Sequence, residues 1–585
     1  MAKVAEWVDQ AVGHLKVNEH LFISVVAVLI GILGGCGAVL FRHAIVFFQS
    51  VLYGSGHDFL GIAAHIPWHK KLIIPAIGGA IVGPIIYFGA REAKGHGVPE
   101  VMEAMALRGG RIRTRVTAVK ILASALSIGC GGSVGREGPI VQIGSALGST
   151  VGQMLKVSRD RMRTLVGCGA AAGIAATFNA PIAGVIFSLE ILLGEFGVTT
   201  FSPLVLSSVT ATVISRRYFG NVPTFILPRY EMISVWEFFL YAIMGVMVGL
   251  VALAFVSTLY KTEDFFNAIP LPDYLKPILG GLVMGGMIIY LPQTFGVGYG
   301  TIDLSLTGMI TGWMLLLLIF AKIFATSVTI GGGMSGGIFA PSLFIGAMVG
   351  GFFGTVVHSL LPGSTASSGA YALVGMGGMV AAATHAPITA ILIIFELTSE
   401  YTIILPLMIT CIISSLLAMY VRKGSIYTIK LMRRGVVLRQ GREQNIMQGI
   451  LVESVMRPEV LVVRENTLLT DIIKAFQNYN VSYLQVVNEN EELSGIISFR
   501  DIRQTLQEQQ LGHLLIAKDV ATSPVITVTP HESIEAALRK LSSTGVSQLP
   551  VVDHNNPKQV IGTIDNKDIN AAYNRAALAM EAQAS

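Results

Sequence analysis

Residues 323–395 contain no Asp, Glu, Lys or Arg, and this run limits the fold more than any other feature. Shorter charge-free runs lie at 21–41, 238–260, 277–302 and 401–421. A bilayer core takes about 20 apolar residues per spanning helix, and several of these runs are long enough. Only 13% of the 585 residues are charged and 52% are hydrophobic, whereas an average globular chain is about 25% charged. A water-soluble fold of this composition would expose too much apolar surface. Residues 21–437 therefore read as a polytopic membrane domain.

The flanks differ. Residues 1–20 carry mixed charges and no short apolar run ending in a small-residue cleavage site, so they read as an amphipathic surface helix and not as a signal peptide. Cys36, Cys130, Cys168 and Cys411 all sit in apolar sequence, which suits buried packing better than disulfides. The net charge of +5 is modest, and no basic tract suggests nucleic acid. Arg422, Lys423, Lys430, Arg433, Arg434 and Arg439 come after the last apolar run. By the positive-inside tendency, the C-terminal part of the chain is cytoplasmic, and the membrane is expected to be the cell's inner, plasma membrane. Near Gln440 the sequence becomes charged, and short β-rich runs at 460–463 and 560–564 alternate with amphipathic helical stretches at 468–478 and 534–543. Residues 438–585 thus form a soluble α/β module.

The membrane part repeats itself. Gly95-His-Gly-Val recurs as Gly296-Val-Gly-Tyr, and Lys120-Ile-Leu-Ala-Ser as Lys322-Ile-Phe-Ala-Thr. Ser133-Val-Gly-Arg-Glu-Gly-Pro recurs as Ser335-Gly-Gly-Ile-Phe-Ala-Pro, and the segment Ala180 to Glu190 as Ala386 to Glu396. Four matches in one order and at nearly constant offset exclude chance, and they define halves of roughly 21–217 and 235–437. Repeated halves of inverted topology are common in transporters, with the site between them at mid-membrane.

Glycine and proline inside apolar sequence break helices and leave backbone N–H groups that lipid cannot satisfy. The turns at 129–138 and 331–341 are such places. A helix N-terminus carries about half a positive charge and aims several N–H groups at one point. Two broken helices pointing inward therefore make an anion site without lysine or arginine, weak enough to release what it binds. Packing alone would explain a pair of glycines, but not Arg136-Glu137 inside the turn. An ionisable residue in that setting is a functional candidate. A charged Glu137 would compete with the anion and a protonated one would swing away, making a gate coupled to pH. The competing assignment is an ion pair between Glu137 and Arg136.

At these residues the chain resembles the CLC family of chloride channels and chloride/proton exchangers, over about residues 20–435. Gly135-Arg-Glu-Gly-Pro139 is identical to the family's gate motif, and Gly337-Ile-Phe-Ala-Pro341 to its second motif. Gly95-His-Gly-Val-Pro99 is similar to the first motif. The resemblance implies Glu137 as gate and anion binding at Gly135 and Arg136, at the backbone amides of Ile338 and Phe339, and at the Tyr427 hydroxyl. It implies a homodimer with one pore per subunit, chloride as bound ligand, no required cofactor, and an all-α inverted-repeat membrane fold. Two departures stand out. His96 replaces the family's chloride-binding serine; its imidazole either donates a hydrogen bond to the anion or points away, which opens selectivity among chloride, bromide and nitrate. Pro139 is kept, which favours the chloride-type branch over fluoride-specific relatives. In the exchangers two glutamates are adjacent. Glu190 matches the first, but Ile191 stands where the internal proton acceptor would be. Isoleucine cannot carry a proton, which leans the reading toward a channel. Glu195, one turn beyond Ile191 on the same face of a continuing helix, is the substitute for a proton path that also uses Glu190; otherwise it ends the helix at the water interface.

Residues 450–507 and 518–576 resemble a tandem CBS pair, through Gly495-Ile-Ile-Ser-Phe-Arg-Asp501 and Gly562-Thr-Ile-Asp-Asn-Lys-Asp568. In that family the polar residue and the following aspartate hold a nucleotide, here an adenine nucleotide on Ser498, Asp501 and Asp568. Asp565 at the serine position would repel phosphate, so one nucleotide or none is expected. The same residues also suit plain helix caps. No metal cluster, phosphate-cradling lysine loop or nucleophile arrangement points to an enzyme. Three functions compete: a chloride channel under CBS control, a coupled chloride/proton antiporter, and a ligand sensor on a non-transporting membrane domain.

Overall fold

The computed structural model describes residues 19–54, 60–61, 65–225, 233–310, 312–436, 447, 449–479, 481–499, 501–502, 514–544, 546–554 and 556–582. The surface helix expected over 1–20 lies outside these residues, apart from its last two positions. The chain divides into two compact units at Val436/Val437.

The first unit is helical. Its first half holds α1 (Glu19–Tyr53), α2 (Trp68–Pro84), α3 (Val98–Leu107), α4 (Arg115–Gly129), α5 (Glu137–Met154), α6 (Arg159–Phe178), α7 (Pro181–Phe187, prolonged by a π-helical turn Ser188–Leu193) and α8 (Val198–Phe219). Its second half holds α9 (Glu237–Ala268), α10 (Lys276–Tyr290), α11 (Tyr299–Leu306), α12 (Trp313–Gly331), α13 (Phe339–Leu360), α14 (Ser368–Thr384), α15 (Pro387–Thr398) and α16 (Ile404–Val421), followed by the short α17 (Thr428–Arg433). Seven of the described helices are long and apolar enough to cross a membrane. The halves form an inverted repeat in which each helix of the first matches the helix eight places later.

Sequence explains the matching ends. The α6 helix stops at Asn179 and α14 at His385, both left-handed at φ 58°, and Pro181 and Pro387 then open α7 and α15 within the first helical turn, where a missing N–H costs nothing. Packing repeats as well. Within each half α5 lies on α6 and α13 on α14, through Gly144 against Gly169 and Gly346 against Gly375, where a Cβ on either glycine would strike the other's carbonyl. Between halves α2 packs on α10 and α7 on α15. Small residues let these backbones approach, which drives helix association where lipid supplies no hydrophobic force. Cys130, Cys168 and Cys411 are buried, but Cys36 is exposed on α1, contrary to the expectation that all four are packed inside.

The second unit repeats a smaller motif. In its first copy β1 (Val462–Arg464) runs parallel to β2 (Tyr483–Val487), which pairs antiparallel with β3 (Leu493–Ser498). In the second copy β4 (Gln548–Val552) pairs antiparallel with β5 (Val560–Asp565). The register matches, Leu484 facing Ile497 and Leu549 facing Ile564, with an irregularity at Val486/Val487 and again at Val551/Val552. The helices Leu469–Tyr479 and Ile534–Thr544 bury Leu469, Ile472 and Phe476, and Ile534, Ala537 and Leu541, respectively. The spacing is the same in both, and each helix covers its own sheet through one apolar stripe.

Candidate anion site

Three glycine-rich turns meet where the two halves adjoin. The turn before α5 and the turn before α13 are joined by a two-way backbone bridge: the Gly135 N–H donates to Gly337 O at 2.7 Å and the Gly337 N–H to Gly135 O at 2.6 Å. The turn before α3 joins them, with the Gly95 N–H on Met334 O and the Gly336 N–H on Gly95 O, each at 3.3 Å. Gly138 is the crowded point: a Cβ there would strike His96 O and lie 3.0 Å from the Cα of Gly337, so only glycine lets three backbone segments converge. The sequence turns separated by some two hundred residues are thus one structure. The Gly135 N–H thus has a backbone partner of its own in Gly337 O.

Glu137 opens α5 and is 2% exposed. Its Oε1 accepts from the Tyr299 hydroxyl at 2.8 Å, and its Oε2 from the Ala340 N–H at 3.3 Å, in the first turn of α13. The carboxylate therefore sits where the helix-end argument puts an anion. Among the described residues Glu137 has no ion pair; the Arg136 guanidinium lies over the Tyr299 ring, 5.2 Å from its centre. The Glu137–Arg136 ion pair is thus replaced by a hydrogen bond and a cation–π contact, both converging on Tyr299. Sequence reasoning missed this tyrosine, although it closes the repeated Gly296-Val-Gly-Tyr motif at the start of α11.

Ile338 and Phe339 are buried at the α13 N-terminus, and Phe339 packs against Phe178 with ring centres 5.7 Å apart. Tyr427, buried at the head of α17, faces His96 with ring centres 5.9 Å apart. The His96 ring is buried too, and its Nδ1 has no hydrogen-bond partner among the described residues. An unpartnered ring nitrogen is costly in such a place unless a ligand meets it.

Two buried lysines were also missed. Lys120 donates to Ala93 O at 3.0 Å and Gly95 O at 2.9 Å, and Lys322 to Thr294 O at 3.3 Å and Gly296 O at 3.0 Å. Each ammonium gathers the carbonyls of the turn that opens the preceding helix, α3 for Lys120 on α4 and α11 for Lys322 on α12. The signal lay in the repeated Lys120 and Lys322 motifs themselves. The site is built from helix ends, but its turns are held by buried cations, which the helix-end argument alone leaves out.

Glu190 has a different surrounding from the one a proton path suggests. Its carboxylate accepts the N–H of Ile388 at 3.2 Å, the N–H of Thr389 at 2.7 Å and the Thr389 hydroxyl at 2.6 Å. Glu396 does the reverse for Ile182 at 3.0 Å and Ala183 at 2.7 Å. The two matched glutamates cap each other's helices across the halves. Ile191 is buried in the π-helical turn. Glu195 does not lie on its helix face: the helix ends at Leu193, Gly194 turns left-handed at φ 71°, and Glu195 comes next, exposed. The glycine breaks the one-turn spacing on which that expectation rested.

In the second unit Ser498 and Asp501 bind each other. The Ser498 N–H and hydroxyl reach Asp501 Oδ2 at 2.8 and 2.7 Å, and the Asp501 N–H reaches Ser498 Oγ at 3.3 Å. Asp565 and Asp568 repeat this through their N–H groups at 3.3 and 2.8 Å, and Asp568 also takes Arg457 Nη2 at 2.6 Å. Both pairs act as reciprocal helix caps.

The family model for voltage gated chloride channels matches residues 78–419, and that for the CBS domain matches 452–508 and 517–575. The chain is 36% identical over 412 residues to a putative chloride channel protein ClcB-like of Ralstonia nicotianae, covering 70% of this chain and 96% of that one. It is 31% identical over 438 residues to the H(+)/Cl(-) exchange transporter ClcA of Vibrio parahaemolyticus, covering 73% and 92%. Among solved structures, a slow cyanobacterial Cl-/H+ antiporter superposes with a TM-score of 0.64 at 28% identity, covering 70% of this chain and 97% of that one. A eukaryotic CLC transporter gives 0.62 at 19% identity, covering 93% and 97%, which speaks for the fold alone.

Proposed function

The chain belongs to the CLC family of chloride transport proteins, and from that we propose that it is a passive chloride channel, one pore per subunit of a homodimer, gated by Glu137. An integral membrane protein of this family moves chloride; the channel reading is the finer step. It is supported by Ile191, which puts an isoleucine where a coupled exchanger would take an internal proton, and by Glu195 standing outside the helix that would have offered a substitute. The gate is carried by one observation: the Glu137 carboxylate rests on the Ala340 N–H in the first turn of α13. Charged, it holds the place of an anion; protonated, it leaves, and chloride takes the freed N–H groups. Ile338, Phe339, Tyr427 and His96 complete the path. No cofactor takes part. The membrane is the cell's inner membrane, the CBS pair faces the cytoplasm, and Ser498 and Asp501 are its sites for an adenine nucleotide.

A coupled chloride/proton antiporter is the second reading, favoured by the relatives and the solved neighbour named as exchangers at 31% and 28% identity. A silent sensor has no use for a buried carboxylate on a helix N-terminus or for a buried histidine facing a tyrosine. Chloride and external pH, recorded together from reconstituted liposomes under a chloride gradient, decide between the first two. A channel dissipates the gradient with no uphill proton movement. Uphill protons at a fixed ratio to chloride overturn the channel reading.

A further inference from the structure

Three residues beyond Tyr427, on the same short α17 helix, Lys430 is a buried cation. Its Nζ lies 3.1 Å from Glu100 Oε1, and both side chains are nearly enclosed, at 10% and 9% exposure. Glu100 stands in the first turn of α3, four residues after His96. Glu100 also takes Arg434 at 3.0 Å, and Arg434 takes Glu103 at 2.7 Å. The Lys430 ammonium reaches the turn that carries His96 as well: a Cβ on Gly95 would lie 3.3 Å from it. One buried ion pair therefore ties the helix that carries Tyr427 to the helix whose leading turn carries His96, the two side chains that face each other at the candidate anion path.

A buried charge acts at longer range than an exposed one, because little water screens it. Glu100 is shared between two cations, and Arg434 retains Glu103 if Glu100 is lost. Neutralising Glu100 therefore uncovers chiefly Lys430. Neutralising Lys430 leaves the turn that carries His96 with less positive charge behind it, the Lys120 ammonium on Gly95 O remaining.

We propose that Lys430, with its charge held in check by Glu100, is a specificity-determining residue for the transported anion. It acts by its field on the anion held near His96 and Tyr427, not by ligating it. This rests on the anion-site reading above. A concentrated positive charge favours the small, strongly hydrated chloride over large, easily dehydrated anions such as thiocyanate. The check supplied by Glu100 keeps the site from holding chloride too tightly to conduct.

The two partners give opposite expectations, which separates a field from a strut. If the pair were only structural, removing either partner would break the same link and harm the protein in the same direction. The experiment titrates chloride into purified full-length protein by calorimetry and measures thiocyanate against chloride flux in liposomes, for Lys430→Gln, Glu100→Gln, Lys430→Arg and Tyr427→Ala. Lys430→Gln is expected to weaken chloride affinity about tenfold and raise the thiocyanate-to-chloride flux ratio, as loss of one poorly screened charge nearby would do. Glu100→Gln is expected to tighten chloride binding and lower that ratio, and Lys430→Arg to restore both. Changes of the same sign in Lys430→Gln and Glu100→Gln, or unchanged flux ratios, overturn the proposal while Tyr427→Ala still weakens chloride. If Tyr427→Ala leaves chloride affinity untouched, the anion-site reading falls and this proposal with it.

Discussion

The Oε2 of Glu137 lies 3.3 Å from the backbone nitrogen of Ala340, so a carboxylate from the first half of the repeat occupies a helix N-terminus of the second. That N–H is an orphan of the first helical turn and cannot turn to lipid. It is met either by this carboxylate or by an exchangeable anion. Glutamine in place of Glu137 keeps the size and removes the charge that competes with chloride. Glu137→Gln is therefore expected to abolish most of the pH dependence of chloride flux, measured as liposome efflux across about two units either side of neutrality. A variant that kept the wild-type pH profile would show that the gate lies elsewhere.

Tyr299 holds the same carboxylate from the other side, with its hydroxyl 2.8 Å from Oε1. A hydrogen bond to a charged group contributes about 1.5–3 kcal/mol. Tyr299→Phe removes that bond and keeps the ring beneath Arg136. The closed arrangement should weaken by about one to two powers of ten, so chloride flux near neutral pH should rise toward that of Glu137→Gln. Flux equal to or below wild type would show that the hydroxyl does not hold the gate shut.

Legibility from sequence tracked the periodicity of each feature. The membrane domain could be read because a charge-free run has only one solvent that suits it, and the halves because four motifs kept their order. Glu137 could be read because a charge in an apolar turn demands a reason. Tyr299 could not, since a tyrosine in an apolar segment carries no such demand, and only the fold brings α11 against α5. Of the two readings of Glu195, the proton stop assumed a helix continuing from Ile191, and Gly194 ended it; its exposed place just past the helix end agrees with the other, a residue that closes the helix at the water interface. Lys430 and Glu100 lie more than three hundred positions apart in sequence, and their pairing needed the packing of α17 on α3.

The mutual capping of Glu190 and Glu396 makes a symmetric expectation. Each carboxylate holds two N–H groups at the head of the matched helix in the other half, and loss of a helix cap costs about 1 kcal/mol. Glu190→Gln and Glu396→Gln should lower the melting temperature of the detergent-solubilised protein by similar amounts, with chloride flux per folded protein little changed. A proton-path role for Glu190 would show differently. It would leave the melting temperature alone and alter proton movement, and Glu396→Gln would not copy it.

Ser498 and Asp501 close on each other in the first CBS copy, while Asp568 in the second is already taken by Arg457 at 2.6 Å. That hydrogen bond and the charge of Asp568 raise the Arg457 pKa further, so the guanidinium stays charged. The second copy also presents Asp565 where phosphate would have to lie, and two carboxylates repel it. The first copy has a neutral hydroxyl there and an aspartate able to accept from ribose. Calorimetry of the full-length protein with ATP should therefore find one site per chain. Asp501→Ala should abolish it, and Arg457→Ala should add no second site, because the carboxylates it uncovers still repel phosphate. Nucleotide binding that survives Asp501→Ala would return Ser498 and Asp501 to the role of helix caps, and a second site that opens in Arg457→Ala would show that Asp565 and Asp568 do not keep phosphate out of the second copy.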